Sequence, residues 1–320
     1  MRDMSSNARV PVSVIVPTYN HGRFIGDAIE SILAQSVEPE QIIIVDDGST
    51  DDTELAVRRF QDPRIEYVKQ THAGVAAARN TGLNAARGEF VTFLDADDRW
   101  GPEFVERLHG FLAEDPTAAC AFSNFVWFSH TTGKIVRDQF PSYPELRRPV
   151  LLKGVPTAFA RIPKERAFGV LVACNQIPAH LQVMMFRRAS IESLRFDSSL
   201  VLGHDTNFAL QTFLQGGVIF TDEVLAEVRL YDTSATDAAV HRLNALQALA
   251  PSVTRSVDLA AYHERLIRAH IDSALYQTSA GRVRAGLRTW RNSLQVPGSQ
   301  LRKLKAALRL ALAVPRGLGK

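Results

Sequence analysis

Four short apolar runs govern what the first hundred residues of this chain can fold into. They are residues 12–17 (VSVIVP), 41–46 (QIIIVD), 64–68 (RIEYV) and 89–94 (EFVTFL). Each is rich in β-branched or aromatic residues and too short for a buried helix, which predicts strands, with 12–17, 41–46 and 89–94 buried. Between the first two, Phe24, Ile25, Ala28, Ile29, Ile32 and Leu33 recur at helical spacing within residues 21–35. Helices are also predicted over residues 51–60, with Ser49 or Thr50 as N-cap, and over the Ala-rich residues 74–86. Strand and helix therefore alternate. Parallel strands need crossover connections, and crossover helices cover both faces of the sheet they join. The expected fold class is α/β, with a mostly parallel central sheet and helices on both faces. In such sheets ligands bind beyond the carboxyl ends of the strands.

Further along, a helix is expected from Pro102 to about Glu114, a strand over residues 118–128, and a return to the sheet over residues 181–187. Prolines at 141, 144, 149, 156, 163 and 178 break up residues 130–180, which read as loops and short helices where an acceptor loop or lid can lie. Residues 208–214 read as helix, residues 218–220 and 224–230 as extended, and the chain from Ala238 onward as a helical extension broken at Pro251 and Pro297.

Composition narrows the partners. The net charge of the 320 residues is only +3, so the molecule as a whole is not a polyanion binder. Its basic character is local: from Arg282 to Lys320 there are ten Lys or Arg and no Asp or Glu. Within residues 301–314 (LRKLKAALRLALAV), Leu301, Leu304, Leu308 and Leu312 share one helical face flanked by Arg302, Lys305 and Arg309. Such a helix can lie on anionic lipid, or pack on the domain with a solvated basic face. No nucleic-acid-binding motif accompanies the charge. Cys120 and Cys174 lack metal-type spacing and read as reduced buried thiols. The polar start, MRDMSSNARV, has no signal-peptide core, and no apolar run is long enough to span a membrane, so a cytoplasmic location is expected.

Three predicted strands end in polar clusters that should converge on one crevice. The last is the hardest to explain: FVTFLDADDRW (residues 90–100) places Asp95, Asp97 and Asp98 at the mouth of a buried strand. Carboxylates this close repel, and burial penalises their charge. A divalent cation would offset them, and Mg²⁺ or Mn²⁺ suits oxygen ligands shared with a substrate's phosphates. The competing reading is a turn, with Asp98 capping the helix after Pro102. The second cluster, IIIVDDGSTDD (residues 42–52), offers an Asp to a nucleobase N–H, or simply caps a helix. The third, residues 72–90 (HAGVAAARNTGLNAARGEF), carries Arg79, which can meet a phosphate or form an ion pair with the acids at the strand ends.

Taken together, VSVIVPTYNHGRFIGDAIESILAQS, IIIVDDGSTDDT and GVAAARNTGLNAARGEFVTFLDADD, in that order and spacing, closely resemble the family 2 glycosyltransferases. The resemblance covers residues 11–100 strongly and about 175–235 more loosely. It implies the GT-A fold: a Rossmann-like nucleotide-sugar half (about 11–100) joined to an acceptor half (101–235), with residues 236–320 as a C-terminal helical region. It also implies roles. Pro17, Thr18 and Tyr19 would line the nucleotide pocket and Asp47 would read the base. Arg79 would bind the donor. Asp95 would contact ribose or the metal's surroundings, and Asp97 would hold Mn²⁺ or Mg²⁺ directly. In GHDTNF (residues 203–208), Asp205 matches the general base; its competing reading is a helix N-cap. His204 stands where the family usually has Glu and reads as an acceptor-site or packing residue. In VRLYDTS (residues 228–234), Arg229 and Ser234 match. Val228 replaces a Tyr, and Tyr231 stands where His is common and could only hydrogen-bond a phosphate.

The reading that follows is an inverting, metal-dependent transferase. It would move a sugar from a nucleoside-diphosphate sugar, UDP being the commonest carrier, to a hydroxyl of a saccharide or lipid-linked acceptor in cell-surface polysaccharide or glycolipid synthesis. Residues 282–320 would offer a contact to the inner face of the cytoplasmic membrane. Two alternatives stand beside it. One is a non-catalytic nucleotide-sugar-binding module of the same fold. The other is a nucleotidyltransferase, for which VPTYNHGRF lacks the Gly-rich basic loop.

Overall fold

A computed structural model describes residues 8–139, 159–174, 180–200, 203–231, 238–254, 256–280, 282–298, 302–303 and 305–307. The alternation expected of the first hundred residues is present: β1 (Arg9–Thr18), α1 (Ile25–Leu33), β2 (Glu38–Asp46), α2 (Thr53–Val57), β3 (Ile65–Lys69), α3 (Val75–Ala85) and β4 (Phe90–Phe93). There follow β5 (Arg99–Trp100), α4 (Phe104–Glu114), β6 (Ala118–Ser129), β7 (Ile135–Asp138), β8 (Phe159–Ile162), α5 (Lys164–Ala173), β9 (Met184–Arg187), α6 (Arg188–Ile191), α7 (His204–Phe213) and β10 (Gly217–Leu230). Three helices close the described chain: α8 (Ala238–Leu249), α9 (Ser256–Ser279) and α10 (Val283–Ser293).

The strands form one sheet in the order β3-β2-β1-β4-β9-β6-β10-β5, with β7 added to β6 and β8 to β10. The strands β3, β2, β1 and β4 run parallel, as do β6 and β10. Strand β9 lies antiparallel between β4 and β6, so the two parallel blocks point the same way. The short strands β5, β7 and β8 run against their neighbours. Pairing of Thr18 with Asp46, and of Ile15 with Phe93, brings the ends of β1, β2 and β4 to one level, where the polar clusters emerge. Strands buried on both faces read as unbroken apolar runs, and Ile42 to Val45 are all inaccessible to solvent.

Packing fixes the helices that carry site residues. At Gly82, a Cβ would lie 2.3 Å from Ile15 Cγ2, so α3 approaches β1 more closely than any side chain allows. Phe93 on β4, Phe186 on β9, Phe208 on α7 and Phe196 form one aromatic cluster, with Phe196 and Phe208 stacked at 4.1 Å. Asn80 on α3 holds both the N–H and the C=O of Phe196, at 2.8 and 2.9 Å. These contacts seat the start of α7 over the end of β4.

Several expectations are corrected. The described residues of 130–180 include two strands, β7 and β8, and the ten-residue α5. All four residues of β7 are exposed, so no alternation of apolar and polar residues marked it. Residues 218–220 and 224–230 belong to the single strand β10, whose register shifts between them. Neither Ser49 nor Thr50 caps α2: Ser49 Oγ accepts the N–H of Asn20, and the Asp51 carboxylate takes the N–H groups of Thr53 and Gly22. Asp98 does not cap α4, which begins after Glu103.

The C-terminal helices continue the main core. Leu246 and Leu249 of α8 and Tyr262 and Leu266 of α9 belong to the same apolar cluster as the sheet, and Tyr262 Oη donates to Leu246 C=O at 2.9 Å. Cys120 and Cys174 are buried free thiols, and burial pushes the Cys120 thiol up. Leu301, Leu304, Leu308, Arg309 and Leu312 lie outside the described residues, as does Ser234. Among their neighbours, Arg302 pairs with Glu264 at 3.1 Å, and the buried Lys303 donates its ammonium to the C=O of Val296 at 2.5 Å. Among the described residues no helix is long and apolar enough to cross a membrane.

Candidate active site

One cavity of about 430 Å³ opens at the carboxyl ends of β1, β2 and β4. Pro17, Thr18 and Tyr19 line it from the end of β1, Asp47 from β2, Arg79 from α3, Asp95 and Asp97 from β4, and His204 and Asp205 from α7. Nine residues singled out from separate motifs thus meet in one place.

On the β2 side of the cavity, Asp47 is buried and fully engaged. Its Oδ1 accepts Gln70 Nε2 at 2.7 Å and the Ala73 N–H at 2.9 Å, and its Oδ2 accepts the Gly74 N–H at 2.8 Å. His72 Nδ1 lies 2.8 Å from the same Oδ2. Gly48, with φ +81°, lets the chain turn back directly behind Asp47. His72 also stacks on Tyr19 with ring centroids 4.1 Å apart. A base N–H reaching for Asp47 would have to displace one of these four donors. Three are held by α3 and the loop before it, whereas the His72 side chain is 55% exposed.

At the carboxylate end the three acids differ. Asp95 accepts Arg79 Nη2 at 2.7 Å. Asp97 accepts the Tyr231 hydroxyl at 2.6 Å, and its backbone C=O accepts Arg229 Nε at 2.8 Å. Asp98 is buried and accepts the backbone N–H of Arg229 at 2.7 Å. Burial, then the negative charges of Asp97 and Asp95, push the Asp98 carboxyl well above the usual range. Arg229 and Tyr231 lie on and just after β10, outside the cavity lining, and reach these acids from behind. The Arg229 guanidinium sits between the rings of Phe24 and Phe128, 4.6 and 4.5 Å from their centroids. Burial and the Asp97 hydrogen bond raise the Tyr231 phenol, so it stays a donor. Among the described residues no three His, Cys, Asp or Glu are grouped to hold a metal by themselves. Two cavity-facing carboxylates, Asp95 and Asp97, suit a cation that shares ligands with phosphate oxygens.

Arg79 is 5% exposed, and its Nη1 lies 3.3 Å from His204 Nδ1. Arginine only donates, so Nδ1 must be the accepting nitrogen and the ring proton sits on Nε2. Burial, then the Arg79 charge, lower the His204 imidazole, in agreement with a neutral ring. Asp205 is not an N-cap: Gly203 occupies that position, and Asp205 Oδ1 accepts the N–H of Thr206 at 2.7 Å. Its carboxylate therefore stays on the cavity wall.

Reasoning from sequence passed over His21 and His72, which line the cavity, and His180. His180 packs edge-on to Phe125 and Trp127 at 4.8 and 5.6 Å, and burial lowers its imidazole, against the charges of Asp205 and Asp95. It follows Pro178 in a segment without periodicity, so no pattern announced it. His72 lay inside a quoted motif and needed only the question of what satisfies Asp47.

Residues 13–171 match the sequence profile described as glycosyl transferase family 2. They place the chain in that family. Among curated relatives, the glycosyltransferase GlyA of Streptococcus pneumoniae is 39% identical over 124 residues, 38% of this chain and 18% of that protein. A Bacillus subtilis relative named for teichuronic acid biosynthesis, TuaG, is 40% identical over 37% of this chain and 47% of its own length. An uncharacterized glycosyltransferase of Rickettsia typhi is 28% identical over 77% of this chain and 72% of its own. The chain thus spans about a fifth to about seven-tenths of these relatives. The fold is also that of solved structures. Staphylococcus aureus TarS 1–349, in complex with UDP-GlcNAc, superposes with a TM-score of 0.68 at 20% identity, over 94% of this chain and 88% of that one. The mannosyltransferase PcManGT of Pyrobaculum calidifontis, in complex with GDP-Man and Mn²⁺, gives 0.57 at 21% identity, over 96% and 81%. The family 2 domain here therefore has the GT-A architecture.

Proposed function

We propose that the chain transfers a sugar, with inversion, from a nucleoside-diphosphate sugar to an acceptor hydroxyl. One observation carries the reading: Asp47, Asp97 and Asp205, which lie on three elements and span nearly 160 residues of sequence, line a single cavity. In this reading the base lies along Tyr19 toward Asp47, and Pro17 and Thr18 flank it. Asp97, with Asp95 beside it, would hold Mn²⁺ or Mg²⁺. When bound, the cation supplies positive charge to the diphosphate as it leaves. Arg79 holds Asp95 in place and keeps His204 a neutral acceptor. Asp205 takes the proton from the acceptor hydroxyl, on the face of the sugar opposite the diphosphate. UDP in a TarS complex and teichuronic acid in a relative's name support UDP as carrier and a cell-surface polysaccharide or glycolipid as product. A lipid-linked acceptor fits a cytoplasmic enzyme that touches the inner membrane face through residues 282–320.

The test is thermal stabilisation by UDP, dTDP, GDP and CMP, each with and without Mn²⁺, on the wild type and Asp97→Ala. A ligand that binds only the native state raises the melting temperature by mass action. We expect one nucleoside diphosphate to stabilise in a metal-dependent way, with the metal dependence lost in Asp97→Ala. No shift with any of the four would leave a module that keeps the fold without a donor site.

A further inference from the structure

Helix α10 shows two faces of opposite character. Its inner face, Gly286 and Ser293, is buried against α9. A Cβ at Gly286 would lie 2.2 Å from Thr278 Oγ1 and 2.7 Å from Ala274 C=O, so the helix cannot rotate to hide its other side. That side carries Arg284, Leu287, Arg288, Arg291 and Leu294, at offsets of three, four, seven and ten residues, one continuous helical stripe. Together with Trp290 they line a shallow depression of about 420 Å³. Leu287 is 46% exposed and Leu294 43%. Among the described residues Arg284, Arg288 and Arg291 form no ion pair, and residues 282–320 contain no carboxylate to supply one.

Neither half of this stripe makes sense alone. A merely solvated face has no use for two exposed leucines, and a face awaiting a protein core has no use for three unpaired guanidinium groups. Arginines beside leucines on one exposed surface match a plane that is anionic at the top and apolar just beneath. Two nearer occupants are disfavoured by charge. The segment after α10 carries further Lys and Arg and no acid, and a second copy would bring the same three arginines face to face.

We infer that the outer face of α10 is a docking surface for anionic phospholipid headgroups, with Leu287 and Leu294 entering the interface between the arginines. The inference deepens the membrane contact of the preceding section and moves it. Arg302, Lys303 and Ala306 are tied down by the Glu264 pair, the Val296 carbonyl and burial, so among the described residues α10 presents a free basic face. It does not depend on sugar transfer.

The test is co-sedimentation of the full chain with phosphatidylcholine vesicles, with and without phosphatidylglycerol, at about 0.15 M salt. Three proteins are compared: wild type, Arg284→Gln/Arg288→Gln/Arg291→Gln, and Leu287→Ser/Leu294→Ser. All the changed side chains face solvent, and each variant's melting temperature checks that it folds. Wild type should bind only the phosphatidylglycerol vesicles. At roughly fivefold per arginine near an anionic surface, the triple variant should lose on the order of a hundredfold in partitioning. The leucine variant, with every arginine intact, should lose roughly tenfold or more, the scale of two buried aliphatic side chains leaving the interface. Absence of binding to phosphatidylglycerol vesicles, or binding unchanged in the triple variant, overturns the proposal. So does duplex DNA binding as tightly as vesicles with no effect of the leucines, which would make the stripe a nucleic-acid surface. A dimer in sedimentation velocity, dispersed by the leucine variant, overturns it in favour of a second copy. Vesicle binding and nucleotide stabilisation are read separately, so failure of either leaves the other standing.

Discussion

Replacing Arg79 by Met removes the buried cation that, among the described residues, directly pairs an acid of the Asp95-Asp97-Asp98 group. The magnitude follows from the geometry. The Arg79 guanidinium is almost wholly buried, at 2.7 Å from Asp95 Oδ1, while the Asp95 side chain keeps 32% of its exposure. Breaking a fully buried pair costs about 3–5 kcal/mol, because a charge is left without a partner. Water reaches Asp95, so screening reduces the expected loss to about 2–3 kcal/mol. Asp95→Asn should cost less, since Arg79 keeps a neutral acceptor there and the repulsion with Asp97 is relieved. The double variant should be more stable than the sum of the two losses predicts, with a coupling of about 1–2 kcal/mol. Urea unfolding of the four proteins in EDTA measures this, provided the m-values agree. Mn²⁺ added back should then raise the Arg79→Met midpoint more than the wild-type one, because a bound cation replaces the missing guanidinium charge. A coupling below about 0.5 kcal/mol, the scatter expected of independent sites, would refute the view that Arg79 is the counter-charge of this group.

Three further outcomes are expected. Asp205→Asn should retain nucleotide-induced stabilisation while transfer falls by roughly 10²–10⁴, the worth of a positioned general base; undiminished turnover would remove Asp205 from that role. His72→Ala should tighten nucleotide binding roughly two- to tenfold by calorimetry, because the incoming base no longer competes with a partly exposed hydrogen bond and a ring stack; weaker binding would instead make His72 a platform for the base. Burial lowers the imidazoles of His109, His180, His204 and His270 below the ordinary 6.5. The unfolded chain therefore takes up these protons first, so stability is fully present above pH 6.5 and falls as the pH drops below it, by up to about 1.4 kcal/mol per pH unit per histidine. Stability measured by urea between pH 7.5 and 5.5 checks this, and a flat profile would contradict it.

What the sequence made legible had a simple periodic or chemical cause. The runs ending at Pro17, Asp46 and Leu94 are mainly apolar because their strands are covered on both faces, and the polar side chains they bury, Ser13, Gln41 and Thr92, are each hydrogen-bonded. The polar ends converge because parallel strands all finish on one side. What stayed hidden lacked such a cause. Strand β7 has no buried face, so Ile135 to Asp138 carry no alternation. The stacking of His72 on Tyr19, and the grip of Tyr231 on Asp97, join residues 53 and 134 positions apart through geometry alone. A helix cap stood only as the competing reading of Asp98, and its actual partner could not be read locally: a strand more than a hundred residues later supplies it. The outer face of α10 was foreshadowed by charge, but which helix is packed and which is free depends on Gly286 fitting against Thr278.

The place of β9 has a consequence for how the chain is made. Strand β4 is complete at Phe93, yet its partner on the far side, β9, does not begin until Met184. On the ribosome, some ninety residues pass between the two. At about 5–20 residues per second, the half-built sheet emerges with its β4 edge unpaired for roughly 5–20 seconds. An apolar, unpaired edge is a template for any strand that passes. Strand β6, the next long strand to appear, is prevented from closing the sheet correctly because β9 must lie between them. A chain stopped before Met184 should therefore be an aggregating species rather than a small nucleotide-binding domain. Fragments meant to isolate the donor half need to carry β9 with them.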